Sequence, residues 1–196
     1  MLCRGFTLLE ILICVSVLSA LAYFALPNLF SLKHAEDLDL LVQRYVRVLR
    51  TAQHVSLSLR APVMVCPREA DKTHQTPVRS PEEIARGLKC ATANRWHSGA
   101  LVFVDVNNNL SFDRPDALLE VIAPLARGQA LTWRSFGSRP YVRFLANGLT
   151  AWQNGRLTFC SAGATMVIVV NHSGRLYAES AKPLRLGKNK LSCTDL

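Results

Sequence analysis

The sequence lacks the short motifs that most readily reveal an enzyme or a metal protein. It has six cysteines but no C-x-x-C pair, which disfavours a zinc ribbon or a thioredoxin-type site. Its five histidines are scattered without H-E-x-x-H spacing, and no G-x-S-x-G nucleophile elbow occurs. We therefore predict no catalytic centre, no cofactor and no bound metal.

Acidic residues are also scarce, with 14 Asp and Glu against 23 Lys and Arg, and a formal net charge of +9. The excess lies at the C-terminal end: Leu131 to Leu196 has nine basic and two acidic residues, whereas Leu101 to Ala130 has two and four. A basic patch attracts DNA, anionic lipid or an acidic subunit, and it can equally be a solvated face. Charge alone therefore identifies no partner.

The N-terminal region is the most apolar part of this 196-residue chain, which suits one folded domain plus a targeting segment. The run from Ile11 to Leu32 carries no formal charge and reaches the roughly 20 residues that a membrane helix needs. A secretory signal peptide would share the positive start at Arg4, but it would not place Glu10 at the head of the run. The pattern predicts a membrane helix whose carboxylate has a specific role.

The segment Arg4-Gly5-Phe6-Thr7-Leu8-Leu9-Glu10 resembles the prepilin cleavage motif of type IV pilins and type II secretion pseudopilins. The resemblance implies that a prepilin peptidase cuts after Gly5 and methylates Phe6, and that Glu10 pairs with the first amine of a neighbouring subunit. Pro27 matches the proline of many pilin stems, where it allows a kink.

This motif also implies where the protein resides and what it contacts. The partners are the prepilin peptidase, other pilins through the N-terminal helix, and inner-membrane lipid. The implied location is the bacterial inner membrane, crossed once with a periplasmic head, before assembly into a pilus or pseudopilus.

Residues 33–60 are predicted to form an amphipathic helix. A dimeric coiled coil would show the same apolar seam, but the β-rich chain that follows favours packing within the subunit. The residue before a proline avoids the α region, so Ala61-Pro62 should end the helix. The seam consists of Leu38, Leu41, Tyr45, Val48, Ala52, Val55 and Leu59.

After Pro62 the pattern changes to short β-rich runs separated by Gly, Pro, Asn and Ser, which is typical of an antiparallel sheet. We predict an α+β fold in which the long helix packs on this sheet. The expected organisation is a leader at 1–5, a transmembrane helix at 6–32, the amphipathic helix at 33–60 and a β-rich head at 61–196. The predicted strands are 63–66, 100–106, 118–123, 130–134, 141–145, 156–160, 165–170 and 175–178.

Four of the cysteines lie in the predicted head, and an even number in an exported domain indicates disulfides. Four cysteines allow three connectivities, of which we expect the sequential one, Cys66 with Cys90 and Cys160 with Cys193. The polar segment 67–94 would then be a surface loop closed by the first bridge.

Nearly the whole chain resembles the GspH/FimT family of minor pseudopilins and pilins. Besides the prepilin motif, the resemblance rests on Trp96-His97-Ser98-Gly99-Ala100-Leu101-Val102-Phe103-Val104-Asp105, the Asn-rich turn after it, and Ser173-Gly174-Arg175. It implies a structural subunit of a type IV pilus, located at or near the tip. A type II secretion pseudopilin and a DNA-binding minor pilin of natural transformation are the alternatives, and two disulfides look more like the pilus branch.

Some pilins of this family resemble DNA readers that use a C-terminal Gly-Arg-x-Arg element. Here the sequence is Gly174-Arg175-Leu176-Tyr177, so the second arginine is absent. The residues that could contact phosphates are Arg175, Arg185, Lys188 and Lys190.

In the Asn-rich turn, the side chains that carry oxygen ligands are spaced as in a calcium-binding loop. They are Asp105, Asn107, Asn109 and Asp113. Leu110, however, stands where an EF-hand has glycine, and no glutamate occupies the twelfth position. Because asparagine tolerates left-handed backbone and bonds its own chain, we predict a hairpin turn rather than a calcium site.

Overall fold

The computed structural model describes residues 8–70, 87–94, 96–161 and 164–180, without the side chains of 22–35 and 180. The chain divides into two compact units, Met1–Asp37 and Leu38–Leu196. In the described ranges the secondary structure consists of one helix and eight strands. These are α1 (Leu8–Leu59), β1 (Val63–Pro67), β2 (Ala100–Val104), β3 (Ala117–Ile122), β4 (Gln129–Ser135), β5 (Val142–Phe144), β6 (Gly155–Ser161), β7 (Ala164–Val170) and β8 (Leu176–Ser180).

The first unit contains the start of α1, with Glu10 in its first turn. The side chains of residues 8–21 are exposed. Within the described residues, no helix is both long and apolar enough to cross a membrane. The membrane crossing expected of residues 6–32 stays a prediction.

The second unit contains two four-stranded antiparallel sheets. The first sheet has the strand order β3-β2-β1-β5, and the second sheet has the order β4-β6-β7-β8. All eight predicted strands are present, but we expected one sheet. The difference arises because β5 pairs with β1, Val63 opposite Phe144, rather than with β4 beside it in sequence.

The helical part of the second unit packs on both sheets, as predicted for packing within the subunit. Its buried side chains join one core with residues of strands β1 to β7, among which β3 contributes Ile122. Leu59 was expected in the seam but is 59% exposed, because the helix ends there and Arg60 turns the chain with φ 50°. The helical residues of the core are Leu38, Val42, Tyr45, Val48, Leu49 and Ala52.

Aromatic side chains occupy the centre of this core. Tyr45 contacts Phe159 and Trp96 edge to face, with ring centroids 5.3 and 6.3 Å apart. The Tyr45 hydroxyl is buried without a hydrogen-bond partner among the described residues. This burial raises the pKa of the phenol, and the Arg44 charge only partly opposes it. Tyr45 therefore stays neutral and acts as a core residue.

The outer face of the first sheet has a second, smaller core. Met64, Leu101 and Phe103 are covered there by Leu88 from the segment between β1 and β2. A disulfide between Cys66 and Cys90, with Cα atoms 5.6 Å apart, holds this segment, so the pairing expected from the sequence is present in the structure. The segment is also held by two backbone hydrogen bonds: the amide of Glu69 donates to the carbonyl of Lys89, and the amide of Ala91 donates to the carbonyl of Pro67.

Gly99, between Trp96 and β2, is required by close packing. Its φ is +88°, and an added Cβ would lie 2.0 Å from the carbonyl oxygen of Ile122. Only glycine adopts this conformation without strain while the backbone of β3 passes so near. This accounts for the glycine in the Trp96-to-Asp105 segment.

Candidate functional site

The predicted processing site, Gly5 and Phe6, lies outside the described residues. Glu10 is exposed in the first turn of α1, where a carboxylate also interacts favourably with the positive end of the helix dipole. Pro27 lies within α1. The assembly roles of Glu10 and Pro27 remain predictions.

The predicted DNA-binding residue Arg175 ends the tight turn between β7 and β8. In this turn the amide of Gly174 donates to the carbonyl of Asn171, and the amide of Asn171 donates to the carbonyl of Arg175. Gly174 has φ +78°, and an added Cβ would lie 2.2 Å from Gln53 Nε2 on α1. The turn is thus seated against the helix, and the Arg175 side chain is exposed. The other candidates, Arg185, Lys188 and Lys190, lie outside the described residues.

An aromatic pair lies beside this turn, with Trp152 exposed and His172 half-buried. The rings of Trp152 and His172 are stacked, with centroids 4.6 Å apart and planes 17° from parallel. Trp152 is 77% exposed and has φ 57°, an unusual backbone conformation for a bulky side chain. From its size and apolar ring, Trp152 would be expected in the core or at a subunit contact. It is not in the core, unlike Trp96 and Trp133, which are fully buried.

Two more arginines face each other on the outer side of the second sheet. Arg134 of β4 lies opposite Arg156 of β6, and both side chains are exposed. Like charges directly opposite on neighbouring strands repel each other. Phe136, 79% exposed, follows Arg134, and its amide donates to the carbonyl of Asn154 near Trp152. We call the side chains Arg134, Phe136, Arg156, Trp152, His172 and Arg175 the arginine-aromatic surface.

The Asn-rich turn is stabilised by its own carboxylates. Asp105 is fully buried and accepts bonds from the amides of Asn109 and Leu110, 3.0 and 3.2 Å long. Asp116 accepts from the amides of Val106 and Asp113. In the described ranges, no three His, Cys, Asp or Glu side chains form a metal-binding group.

Arg143, in β5 of the first sheet, contacts this turn through its side chain. Arg143 Nη2 lies 3.9 Å from the Asp105 carboxylate and donates to Asn108 Oδ1. Asn108 and Leu110 have φ of 62° and 67°, which asparagine tolerates more readily than leucine. The predicted hairpin-type turn is therefore a compact loop held by side-chain to backbone bonds.

The second predicted disulfide is only partly described. Cys160 of β6 is disulfide-bonded. Its expected partner, Cys193, lies outside the described residues, so that pairing stays a prediction. Cys14 is a free, exposed thiol.

Comparison with protein families gives two matches. Residues 41–174 match the family described as Type II transport protein GspH. Residues 1–25 match the prokaryotic N-terminal methylation motif. A search of curated proteins found no match.

Two solved structures are similar, both of the type IV minor pilin FimU from Pseudomonas aeruginosa strain PAO1. The crystal form in space group P21 has a TM-score of 0.51 at 14% identity, covering 74% of this chain and 90% of the FimU chain. The form in space group P65 has a TM-score of 0.43 at 15% identity, covering 68% and 85%. At this identity, the first similarity shows the type IV pilin-like fold.

These matches set the biochemical class. The methylation motif implies processing by prepilin peptidase, anchoring in the inner membrane and assembly with other pilins. Proteins of the family are structural and non-enzymatic. The chain therefore belongs to the GspH family, as a minor pilin of the type IV pilin and type II pseudopilin class with an N-terminal methylation motif.

Proposed function

We propose that this minor pilin is a subunit of a type IV pilus, located at or near the tip, with its head in the periplasm before assembly. Disulfide bonding at Cys66, Cys90 and Cys160 supports the pilus branch over the secretion branch. Disulfides form in the periplasm and not in the reducing cytoplasm, which supports an exported head. The precursor would cross the membrane once through residues 6–32.

Processing gives a direct test of this proposal. Protein recovered from sheared pili is expected to begin at methylated Phe6, because the peptidase cuts after Gly5. Mass spectrometry of the N-terminal peptide checks this, with a Gly5→Val variant as the uncleaved control. Recovery of protein that begins at Met1, or at Tyr23 through signal-peptidase cleavage after Ala20-Leu21-Ala22, would contradict the proposed maturation.

The same fractions separate the two systems. A pilus subunit is expected in the sheared pili at a small fraction of the major pilin, and its loss should reduce piliation. If the protein is absent from pili and its deletion instead blocks protein export, the type II secretion alternative is correct.

DNA binding is a second candidate, favoured by the arginine-aromatic surface. The structure records no ion pair for Arg134, Arg156 or Arg175 among the described residues, and all three are exposed. Unpaired arginines can neutralise phosphates, and exposed aromatic rings can stack on bases.

The corresponding prediction is a salt-dependent affinity for DNA. In a titration of the full chain in detergent, Arg175→Glu should weaken binding and lower the slope of log affinity against log salt by about 1. Arg114→Glu is the matched control, since Arg114 is exposed next to the Asn-rich turn, outside this surface. Equal effects of the two substitutions, or no binding near physiological salt, would exclude a DNA site at Arg175.

A further inference from the structure

Strand β8 forms one edge of the second sheet. Among the described residues, no strand pairs with the side of β8 that faces away from β7. In the turn, Asn171 donates to the Arg175 carbonyl, and residues of an antiparallel pair alternate between bonded and non-bonded positions. Tyr177 therefore bonds to β7, while the amide and carbonyl of Ala178 point to the open edge.

A groove runs beside this edge, between β8 and α1. It has a volume of about 450 Å³, and Val42, Val46, Met166 and Ala178 supply apolar lining. A smaller recess of about 220 Å³ adjoins it, because Arg50 lines both. We call the two together the edge groove.

The edge groove carries a positive charge. Arg47 and Arg50 line its larger part, and Arg175 lines the smaller recess. All three are exposed, and the structure gives none of them an ion pair within the described ranges. Asp39 is the carboxylate of the lining, and it accepts a hydrogen bond from Gln43. The groove is therefore complementary to a ligand that carries negative charge.

We propose that β8 and the edge groove bind an extended, acidic segment of a partner protein, which adds to the second sheet as a fifth strand. Backbone bonds to Ala178 would supply affinity, and alternate side chains of the segment would enter the groove. Its carboxylates would lie against Arg47 and Arg50. Residues 181–196 follow β8 in sequence, but they contain four Lys or Arg and one Asp, so their charge does not match. This binding does not depend on which filament system contains the protein.

A peptide of alternating valine and glutamate, labelled with fluorescein, is a suitable probe for the full chain in detergent micelles. Anisotropy should show binding, and hydrogen exchange of the Ala178 amide should slow at least about tenfold on saturation. Ala178→Pro should abolish binding, because proline has no amide to donate yet is tolerated on an edge strand. Ala178→Ser should leave binding intact.

A second test changes the charge of the groove at Arg47, which lies on α1, and so leaves the backbone of β8 unchanged. Arg47→Glu should weaken the peptide at least about fivefold, whereas Arg114→Glu, outside the groove, should not. If Ala178→Pro lowers the thermal unfolding midpoint, the Arg47 comparison still decides the proposal. Unchanged affinity in Arg47→Glu, or equal binding of a valine and lysine peptide, would overturn it.

One more outcome would assign the groove to another occupant. If the Ala178 amide, which points to the open edge, exchanges slowly in the free chain and quickly once the chain is ended after Ser180, the protein's own residues cover the edge and the proposal is wrong. A protein that is processed and found in pili but binds no peptide refutes only the edge groove, so this failure is distinct from failure of the pilus assignment.

Discussion

Replacing Glu10 with alanine is expected to leave the precursor in the membrane at its normal level while reducing its incorporation into filaments at least about tenfold. In the filament, the Glu10 carboxylate is proposed to pair with the methylated amine of Phe6 in a neighbouring subunit. Removing one partner of a buried pair leaves the other charge uncompensated, at a cost of about 3–5 kcal/mol. Immunoblots of sheared pili and of membrane fractions measure the ratio of assembled to membrane-bound protein.

A matched substitution on the same helix controls for changes in helix stability. Glu36 is also exposed on α1, and Glu36→Ala should assemble normally. Glu10→Gln keeps the size but not the charge, so it should resemble Glu10→Ala if charge pairing matters. Normal filament incorporation of Glu10→Ala would rule out the proposed role.

Trp133→Ala should lower the free energy of unfolding by about 3–5 kcal/mol, far more than truncation of the exposed Trp152. Trp133 is fully buried, and the position of a Cβ on Gly155 would lie 2.2 Å from its ring. The smaller side chain would leave a cavity between β4 and β6. Urea unfolding of the full chain in detergent, followed by circular dichroism, measures the loss.

Substitution of Trp152 provides the control, since Trp152→Ala removes the same atoms from an exposed position. Trp152→Ala should change the free energy of unfolding by less than about 1 kcal/mol. Trp133→Phe should fall between the two, because it fills part of the cavity and removes an indole N–H that has no partner among the described residues. Equal losses for Trp133→Ala and Trp152→Ala would contradict the assignment of Trp133 to the core.

Much of the fold was predictable, because its signals are local. Runs of β-branched and apolar residues located all eight strands, and the spacing of Leu38, Tyr45, Val48 and Ala52 located the buried helical face. The end of the helix before Pro62 follows from backbone sterics. The division into two sheets was not predictable, because partner choice depends on contacts between strands far apart in sequence, such as β1 with β5.

The candidate surfaces were missed for the same reason. Arg134 and Arg156 look like separate solvated charges in the sequence, and only the register of β4 with β6 places them side by side. Arg47 and Arg50 look like ordinary charges on the polar helical face, since the sequence does not show which strand lies at the sheet edge beside them. The stacking of Trp152 on His172 likewise joins two separate loops.

The order in which strands enter the two sheets constrains how the head can fold. The first sheet needs β1 and β5, which pair Val63 with Phe144, yet β4 of the second sheet lies between them in sequence. Bringing two strands so distant in sequence together costs chain entropy before their contacts stabilise the pair. Non-local pairing of this kind therefore slows folding. The first sheet therefore cannot be completed until β4, a strand of the second sheet, has also emerged. The head should therefore behave as one cooperative unit, and fragments that stop before β5 should not refold.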